Sequence, residues 1–274
     1  MRELMELLLA ALDRHDGLAV AVSGGVDSMT LAYLAHRFGR ASVRMVHAVS
    51  PAVPPLATAR VERHAQRHGW DLVVVGAGEF DDPAYRANPV DRCYFCKTNL
   101  YGRILRLTSG TIASGANLDD LGDYRPGLRA AAEHRVVHPF VEAGIDKAGI
   151  RALAALHGLD DLAELPAQPC LSSRIETGIP IDAEDLAFVD LVERELAVLL
   201  PGAAAIRCRI TGAGVLLELD GDLVERSEGR AAALHAAGLA QASGRSLAGV
   251  RPYRRGSAFL RDGSIVSAQG TIRP

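Results

Sequence analysis

Apolar and polar residues alternate in blocks over the first 160 positions, and each block has the period of one kind of element. The apolar run Leu18-Ala-Val-Ala-Val22 reads as a buried strand, Ser23-Gly24-Gly25-Val26-Asp27-Ser28 as a tight turn, and 29–38 as a helix with apolar residues at helical spacing. Positions 1–12 place Leu4, Leu7, Leu8 and Leu12 among Glu3 and Glu6, which predicts an amphipathic helix and not an export signal. Further strands are predicted over 42–49, 72–75, 111–114 and 135–139, and helices over 55–68, 94–107 and 147–157, the last capped by Asp146. Residues 76–92 and 115–127 read as polar loops. Strands alternating with helices imply right-handed crossovers, so the expected fold class is α/β: a five-stranded parallel sheet with helices on both faces.

The pattern changes at 166–180, a stretch rich in proline, serine and glycine that reads as a seam. Beyond it a helix over 182–200 presents Phe188, Val192, Leu196 and Leu199 on one face. Short strands over 205–210 and 215–219 and a helix over 223–237 follow. The expected organisation is an α/β domain over 1–165, a cysteine-bearing seam over 166–180, and a smaller α+β domain over 181–274, to which the family resemblance described below adds substrate binding and oligomer formation.

Gly24 and Gly25 let the backbone bend and approach a ligand with no Cβ in the way, so successive N–H groups can face one concavity at a helix N-terminus. The helix end contributes about half a positive charge, and Ser23 and Ser28 bring hydroxyls, making residues 23–28 a phosphate cradle that includes Val26 and Asp27. The run has neither Gly-Lys-[Ser/Thr] nor Gly-x-Gly-x-x-Gly, which excludes a Walker loop and a Rossmann fingerprint. It resembles the pyrophosphate loop (PP-loop) of ATP pyrophosphatases, enzymes that cleave ATP between its α and β phosphates; an ordinary glycine turn is the alternative. Gly115 opens the glycine-rich run after the fourth strand, where ligands bind in open α/β sheets. The backbone of His47, Ala48 and Val49, at the end of the second strand, is placed to contact adenine.

A chain of 274 residues has room for one large or two ordinary domains. With 49% hydrophobic and 23% charged residues it has the proportions of a soluble globular protein, and no apolar run is long enough to span a membrane. Thirty basic against 33 acidic residues leave a net charge of -3, with no field to gather a polyanion, which disfavours a nucleic-acid partner. Four cysteines without an export signal point to a reducing, cytoplasmic setting, where a close Cys-x-x-Cys pair signals metal or redox chemistry.

Cys93-Tyr-Phe-Cys96 opens a predicted helix whose dipole favours thiolate, and Cys170 lies in the seam, in Pro169-Cys-Leu-Ser-Ser-Arg174. Three cysteinates can hold three irons of a [4Fe-4S] cluster and leave the fourth open to an exogenous ligand such as sulfide. A structural zinc completed by Cys208 or a histidine, a redox pair, and buried inert thiols are the alternatives. Cys208, mid-strand in Ile206-Arg-Cys-Arg-Ile210, reads as inert.

The runs Asn88-Pro-Val-Asp-Arg-Cys-Tyr-Phe-Cys-Lys97, Gly115-Ala-Asn-Leu-Asp-Asp120 with Tyr124-Arg-Pro-Gly127, Pro169-Cys-Leu-Ser-Ser-Arg-Ile175 and Tyr253-Arg-Arg-Gly-Ser257 resemble the LarE family of ATP-dependent sulfur transferases. The resemblance spans nearly the whole chain. It implies an enzyme that adenylates a carboxylate of pyridinium-3,5-biscarboxylic acid mononucleotide and converts it to a thiocarboxylate, in the synthesis of the nickel-pincer nucleotide cofactor of lactate racemase. Members with only the cysteine matching Cys170 give up that side chain's sulfur. Members with three cysteines, as at Cys93, Cys96 and Cys170, hold a [4Fe-4S] cluster, so the cluster route is expected. The resemblance also implies ATP, Mg²⁺, a sulfide donor and a homo-oligomer. It assigns Ser173, Arg174, Glu195, Arg207, Arg209 and Arg254 to the substrate and its phosphate. Arg207 and Arg209 match an Arg-x-Arg pair whose spacing puts two guanidinium forks on one strand face, Glu195 matches a helix carboxylate, and Arg254 the arginine of the last run. The chain departs from the pattern at Leu165, where a lysine is usual, and over 211–217, which lack a histidine and an arginine.

The expected chemistry follows from the weakness of a carboxylate as an electrophile: adenylation supplies a better leaving group. Asp27, with Asp119 or Asp120, is expected to hold Mg²⁺ against the phosphates, and the amides of residues 24–28 to stabilise departing pyrophosphate. Sulfide, or the Cys170 thiolate, then displaces AMP. The rivals are a PP-loop tRNA thiolase with a three-cysteine cluster, an ammonia-using synthetase, and a zinc-stabilised nucleotide-binding module.

Overall fold

The computed structural model describes residues 1–122, 125–254, 260–261, 264–266 and 272–273; Tyr124 and Arg255, Gly256 and Ser257 of the quoted runs lie outside the described residues. The chain divides into two compact units, Met1–Asp82 with Asp91–Gln168, and Pro83–Val90 with Pro169–Pro274.

The first unit runs α1 (Arg2–Leu12), β1 (Gly17–Val22), α2 (Val26–Phe38), β2 (Ser42–Val49), α3 (Pro55–His68) and β3 (Asp71–Gly76). After α4 (Pro83–Arg86), which belongs to the second unit, it resumes with α5 (Arg92–Leu105), β4 (Thr111–Ala113), α6 (Pro126–Glu133), α7 (Pro139–Glu142), α8 (Lys147–Leu156) and α9 (Asp160–Ala163). The four strands are parallel, in the order β3-β2-β1-β4. Alternation along β1 assigns its neighbours. Leu18, Val20 and Val22 join Leu8 and Leu12 of α1, Met29 and Leu31 of α2, and Ile150 and Leu153 of α8 in one core, while Ala19 packs with Tyr101 and Ile104 of α5 and Ala130 of α6. Helices thus cover both faces.

The fifth strand expected over 135–139 is reduced to one parallel bridge, Ala113 to Val137. Arg135 turns left-handed at φ 54°, and Pro139 opens α7 and has no N–H to continue a ladder. The two stretches expected as loops contain short elements: a 3₁₀ turn at Glu79–Asp81 and α4 in the first, a 3₁₀ turn at Leu118–Gly122 and the start of α6 in the second.

In the second unit Asp182 caps α10 (Ala183–Leu199), its carboxylate accepting from the Glu184 amide at 2.8 Å. β5 (Ile206–Thr211) and β6 (Gly214–Leu219) pair antiparallel; after α11 (Ser227–Ala242), β7 (Leu247–Pro252) adds a parallel strand to β6 that the sequence did not announce. A second small sheet joins β8 (Leu260–Arg261), β9 (Ser264–Val266) and β10 (Ile272–Arg273). Residues 83–90 fold with this unit because Asn88 sends its amide to the carbonyls of Glu176 and Ile179, both at 2.9 Å, and the hydroxyls of Tyr85 and Ser172 share a 2.6 Å bond.

Candidate functional site

The turn between β1 and α2 is built for a bare backbone. Gly24 sits at φ +80°, which L side chains avoid, and a Cβ there would lie 2.7 Å from the Ala57 carbonyl oxygen of α3. Gly25 is the N-cap of α2 and supplies no side chain to its first amides, which are left to solvent or a ligand. Ser28 is turned inward: its Oγ accepts from the Ser23 amide at 3.0 Å, donates to the Gly25 carbonyl at 3.3 Å and lies 3.1 Å from Ser23 Oγ. Its hydroxyl therefore shapes the turn, and the Gly25 amide makes a long bond of 3.4 Å to Ser23 Oγ.

Gly115, at the end of β4, is seated against this turn. A Cβ on it would come 2.6 Å from the Ser28 amide nitrogen and 2.8 Å from the Asp27 carbonyl carbon. Asp27, in the first turn of α2, is held by Lys147, whose Nζ donates to both carboxylate oxygens at 2.7 and 2.6 Å. The Lys147 amide in turn donates to Asp119 at 3.2 Å, while Asp120 accepts from the Asn117 amide at 3.1 Å and pairs with Arg125 at 2.7 Å. Residues far apart in sequence thus converge on the head of α2, with the Lys147 ammonium on Asp27 and its backbone amide on Asp119, two of the three carboxylates expected at a metal. Among the described residues no three His, Cys, Asp or Glu side chains are gathered to hold a metal ion. Lys147 escaped the sequence reading, yet it left a signal: a cation in the first turn of a helix opposes the dipole and calls for an anion nearby.

His47 is fully buried. Its Nδ1–H donates to the Val22 carbonyl at 2.8 Å, leaving Nε2 to accept from Thr58 Oγ1 at 2.9 Å. Burial pushes its pKa down, so the ring is a neutral strut between β1, β2 and α3. Only its backbone is left for a ligand. Val49 lines a cleft of about 510 Å³ at the C-terminal ends of β2 and β3, together with Ser50, Gly76, Gly78 and Glu79.

Cys93 and Cys96 lie three residues apart on one side of the start of α5, both partly exposed. Cys170, in the second unit, is exposed and precedes a 3₁₀ turn at Leu171–Arg174; none of the four cysteines is in a disulfide. Cys208 lies in the buried middle of β5, where burial pushes its thiol far up.

Around that turn the second unit gathers cations. Arg174 is buried. Its Nε and Nη2 fork onto Glu193 at 2.9 and 2.8 Å, and its Nη1 reaches the Pro169 carbonyl at 2.8 Å and Ser173 Oγ at 2.9 Å. Burial works against the charge of Arg174, and Glu193 outweighs it, holding the pKa above its ordinary value. Arg209 is tied to the buried Glu218 at 2.6 Å and to the Ser173 carbonyl at 2.9 Å, and Glu218 also takes Arg251 at 2.7 Å. Arg207 stands over the Tyr253 ring at 5.5 Å, its pKa pushed down by burial and then by Arg174. Glu195 lies on an exposed face 3.5 Å from His235, and Arg254 is exposed. The carboxylate that reaches the turn is Glu193, missed in the sequence although it sits one turn from the buried Val189 and Leu196, on an apolar face where an acid needs a cation.

No family model matches the chain. It is 38% identical over 182 residues to the uncharacterized protein slr1717 of Synechocystis, covering 65% of this chain and 68% of that one. Identity to the uncharacterized protein MJ0830 of Methanocaldococcus jannaschii is 27% over 199 residues, covering 71% and 75%. Identity to the pyridinium-3,5-bisthiocarboxylic acid mononucleotide synthase of Lactiplantibacillus plantarum is 29% over 207 residues, covering 74% of each.

Proposed function

This chain belongs to the family of the Synechocystis protein slr1717, and from its further similarity to the Lactiplantibacillus synthase we propose that it is an ATP-dependent sulfur transferase. Its substrate in this reading is pyridinium-3,5-biscarboxylic acid mononucleotide, one carboxylate of which is adenylated and then converted to a thiocarboxylate. The observation that carries the reading is the turn at Gly24 and Gly25: a glycine backbone at the head of α2 with its first amides uncapped, and Gly115 packed against the same helix turn.

Such a turn suits a pyrophosphate leaving group, because fixed amides oriented toward developing charge need no reorganisation as the P–O bond breaks. Lys147, held on Asp27, adds a positive charge at the same helix end. The Asp27 carboxylate, a hard oxygen donor, would hold Mg²⁺ brought with ATP in place of its bond to Lys147. Ser173 and Arg207 are the second unit's groups for the substrate phosphate, with Arg174 held in place by Glu193. The three thiols Cys93, Cys96 and Cys170 have the donor chemistry for a [4Fe-4S] cluster, which when bound would supply the sulfur atom through the iron left without a protein ligand. The exposure of Cys170 favours a second reading, in which that side chain gives up its own sulfur and is left as dehydroalanine.

Anaerobic protein supplied with Mg-ATP and the pyridinium dicarboxylate mononucleotide should yield product heavier by the exchange of one sulfur for one oxygen. Iron and acid-labile sulfide should accompany the purified protein, and Cys96→Ala should abolish repeated turnover with added sulfide. Colourless protein with stoichiometric zinc would sink the cluster. A protein mass lower by one H₂S after a single turnover would favour sacrifice of Cys170.

A further inference from the structure

Arg60, on α3, is a buried cation behind the phosphate turn, 9% exposed. Its Nη1 donates to the Gly24 carbonyl at 2.7 Å and to Gln168 Oε1 at 3.2 Å. No carboxylate pairs with it directly among the described residues. Burial pushes its pKa down, with Arg63 adding to the effect and Asp161 opposing it. A buried guanidinium without a carboxylate is costly to keep, and its strong donor bond goes to a main-chain carbonyl of the turn.

The geometry of that peptide gives the bond a consequence. A trans peptide is planar, so the Gly24 carbonyl and the Gly25 N–H point in opposite directions. Anchoring the oxygen on Arg60 sends the Gly25 N–H to the other side, where Ser23 Oγ lies at 3.4 Å. A peptide between two glycines is the easiest kind to flip, since neither flank has a Cβ to resist. The flipped peptide would aim its carbonyl oxygen at the cradle and repel a phosphate. Resting on the reading that residues 23–28 bind the ATP phosphates, we propose that Arg60 is a positioning residue of this loop: it pins the Gly24–Gly25 peptide with its N–H toward the anion and polarises that N–H from the carbonyl end. Gln168, the second acceptor, fixes the guanidinium in the orientation this requires.

Calorimetric titration of the full chain with Mg-pyrophosphate and with Mg-ATP tests the proposal, comparing wild type with Arg60→Gln and Arg60→Lys. Arg60→Gln should bind pyrophosphate about tenfold more weakly or worse, the size of one charge-assisted hydrogen bond, and Arg60→Lys should recover most of the loss. In turnover, kcat/KM for ATP should fall in parallel, while KM for the pyridinium substrate stays within about twofold, which a general loss of structure would not allow. Arg60→Gln that is folded and binds pyrophosphate as wild type does would overturn the role of Arg60 and leave the ATP reading standing. Wild type that binds neither titrant would overturn both. If Arg60→Gln does not fold, Gln168→Ala carries the test, since it frees the guanidinium from its second acceptor: pyrophosphate bound several-fold more weakly supports the proposal, and unchanged binding refutes it.

Discussion

Glycine at position 115 is dictated by a contact, not by a backbone angle. The methyl group of Gly115→Ala would have to enter within 2.6 Å of the Ser28 amide nitrogen, which belongs to helix backbone and cannot swing aside as a side chain could. The substitution should displace the first turn of α2, cost about 1–3 kcal/mol of stability and weaken Mg-ATP binding about tenfold, read by thermal melting and titration calorimetry. Unchanged affinity would remove the β4 loop from the phosphate site. The glycine pair at 24 and 25 was legible in the sequence because a motif names its own spacing. The work of Ser28 was not: a hydroxyl reads the same whether it faces a ligand or, as here, bonds the Gly25 carbonyl and the Ser23 amide. Lys147 and Glu193 were hidden for another reason, since each makes sense only beside a partner, Asp27 or Arg174, that the fold delivers from elsewhere.

Where one element carries several functional groups, its ends matter as much as its face. Asp146 caps α8 by accepting from the Gly149 amide at 2.8 Å, and the next residue is Lys147. Asp146→Ala should cost about 1 kcal/mol and let the first turn fray, lowering the melting temperature by a few degrees and weakening ATP binding as Lys147 loses its seat on Asp27; Asp146→Asn should restore both. Equal affinity in the alanine variant would show that the helix start does not set the position of Lys147. This cap, like β2 and α3, was readable from the chain because local periodicity and capping chemistry agree there. The strand expected over 135–139 shrank to a bridge because Arg135 and Pro139 end it on both sides. β7 went unread because Leu-Ala-Gly-Val-Arg-Pro shows no alternation and contains glycine and proline; its partner β6 makes it a strand.

Four histidines of the first unit, His47, His68, His138 and His157, have pKa values pushed down by burial, so the folded state holds them neutral. The unfolded chain takes up their protons near pH 6.5, so it binds more protons than the folded chain below that value. Stability is therefore full above about pH 6.5 and declines as pH falls through the depressed folded values, which urea unfolding at pH 7.5 and pH 5.5 should show as a lower midpoint in acid. His47→Gln, losing one such group, should flatten the decline; equal midpoints for wild type at both pH values would contradict it. His47 braces the sheet whose strand end carries the turn at residues 23–28, and the central claim is that the amides of that turn hold the β and γ phosphates while bond breaking occurs at the α phosphate. Phosphorus NMR of the nucleotide products formed from Mg-ATP and the pyridinium dicarboxylate mononucleotide tests this most directly. AMP and pyrophosphate, in equal amounts and tied to product, are predicted; ADP and orthophosphate would contradict the account.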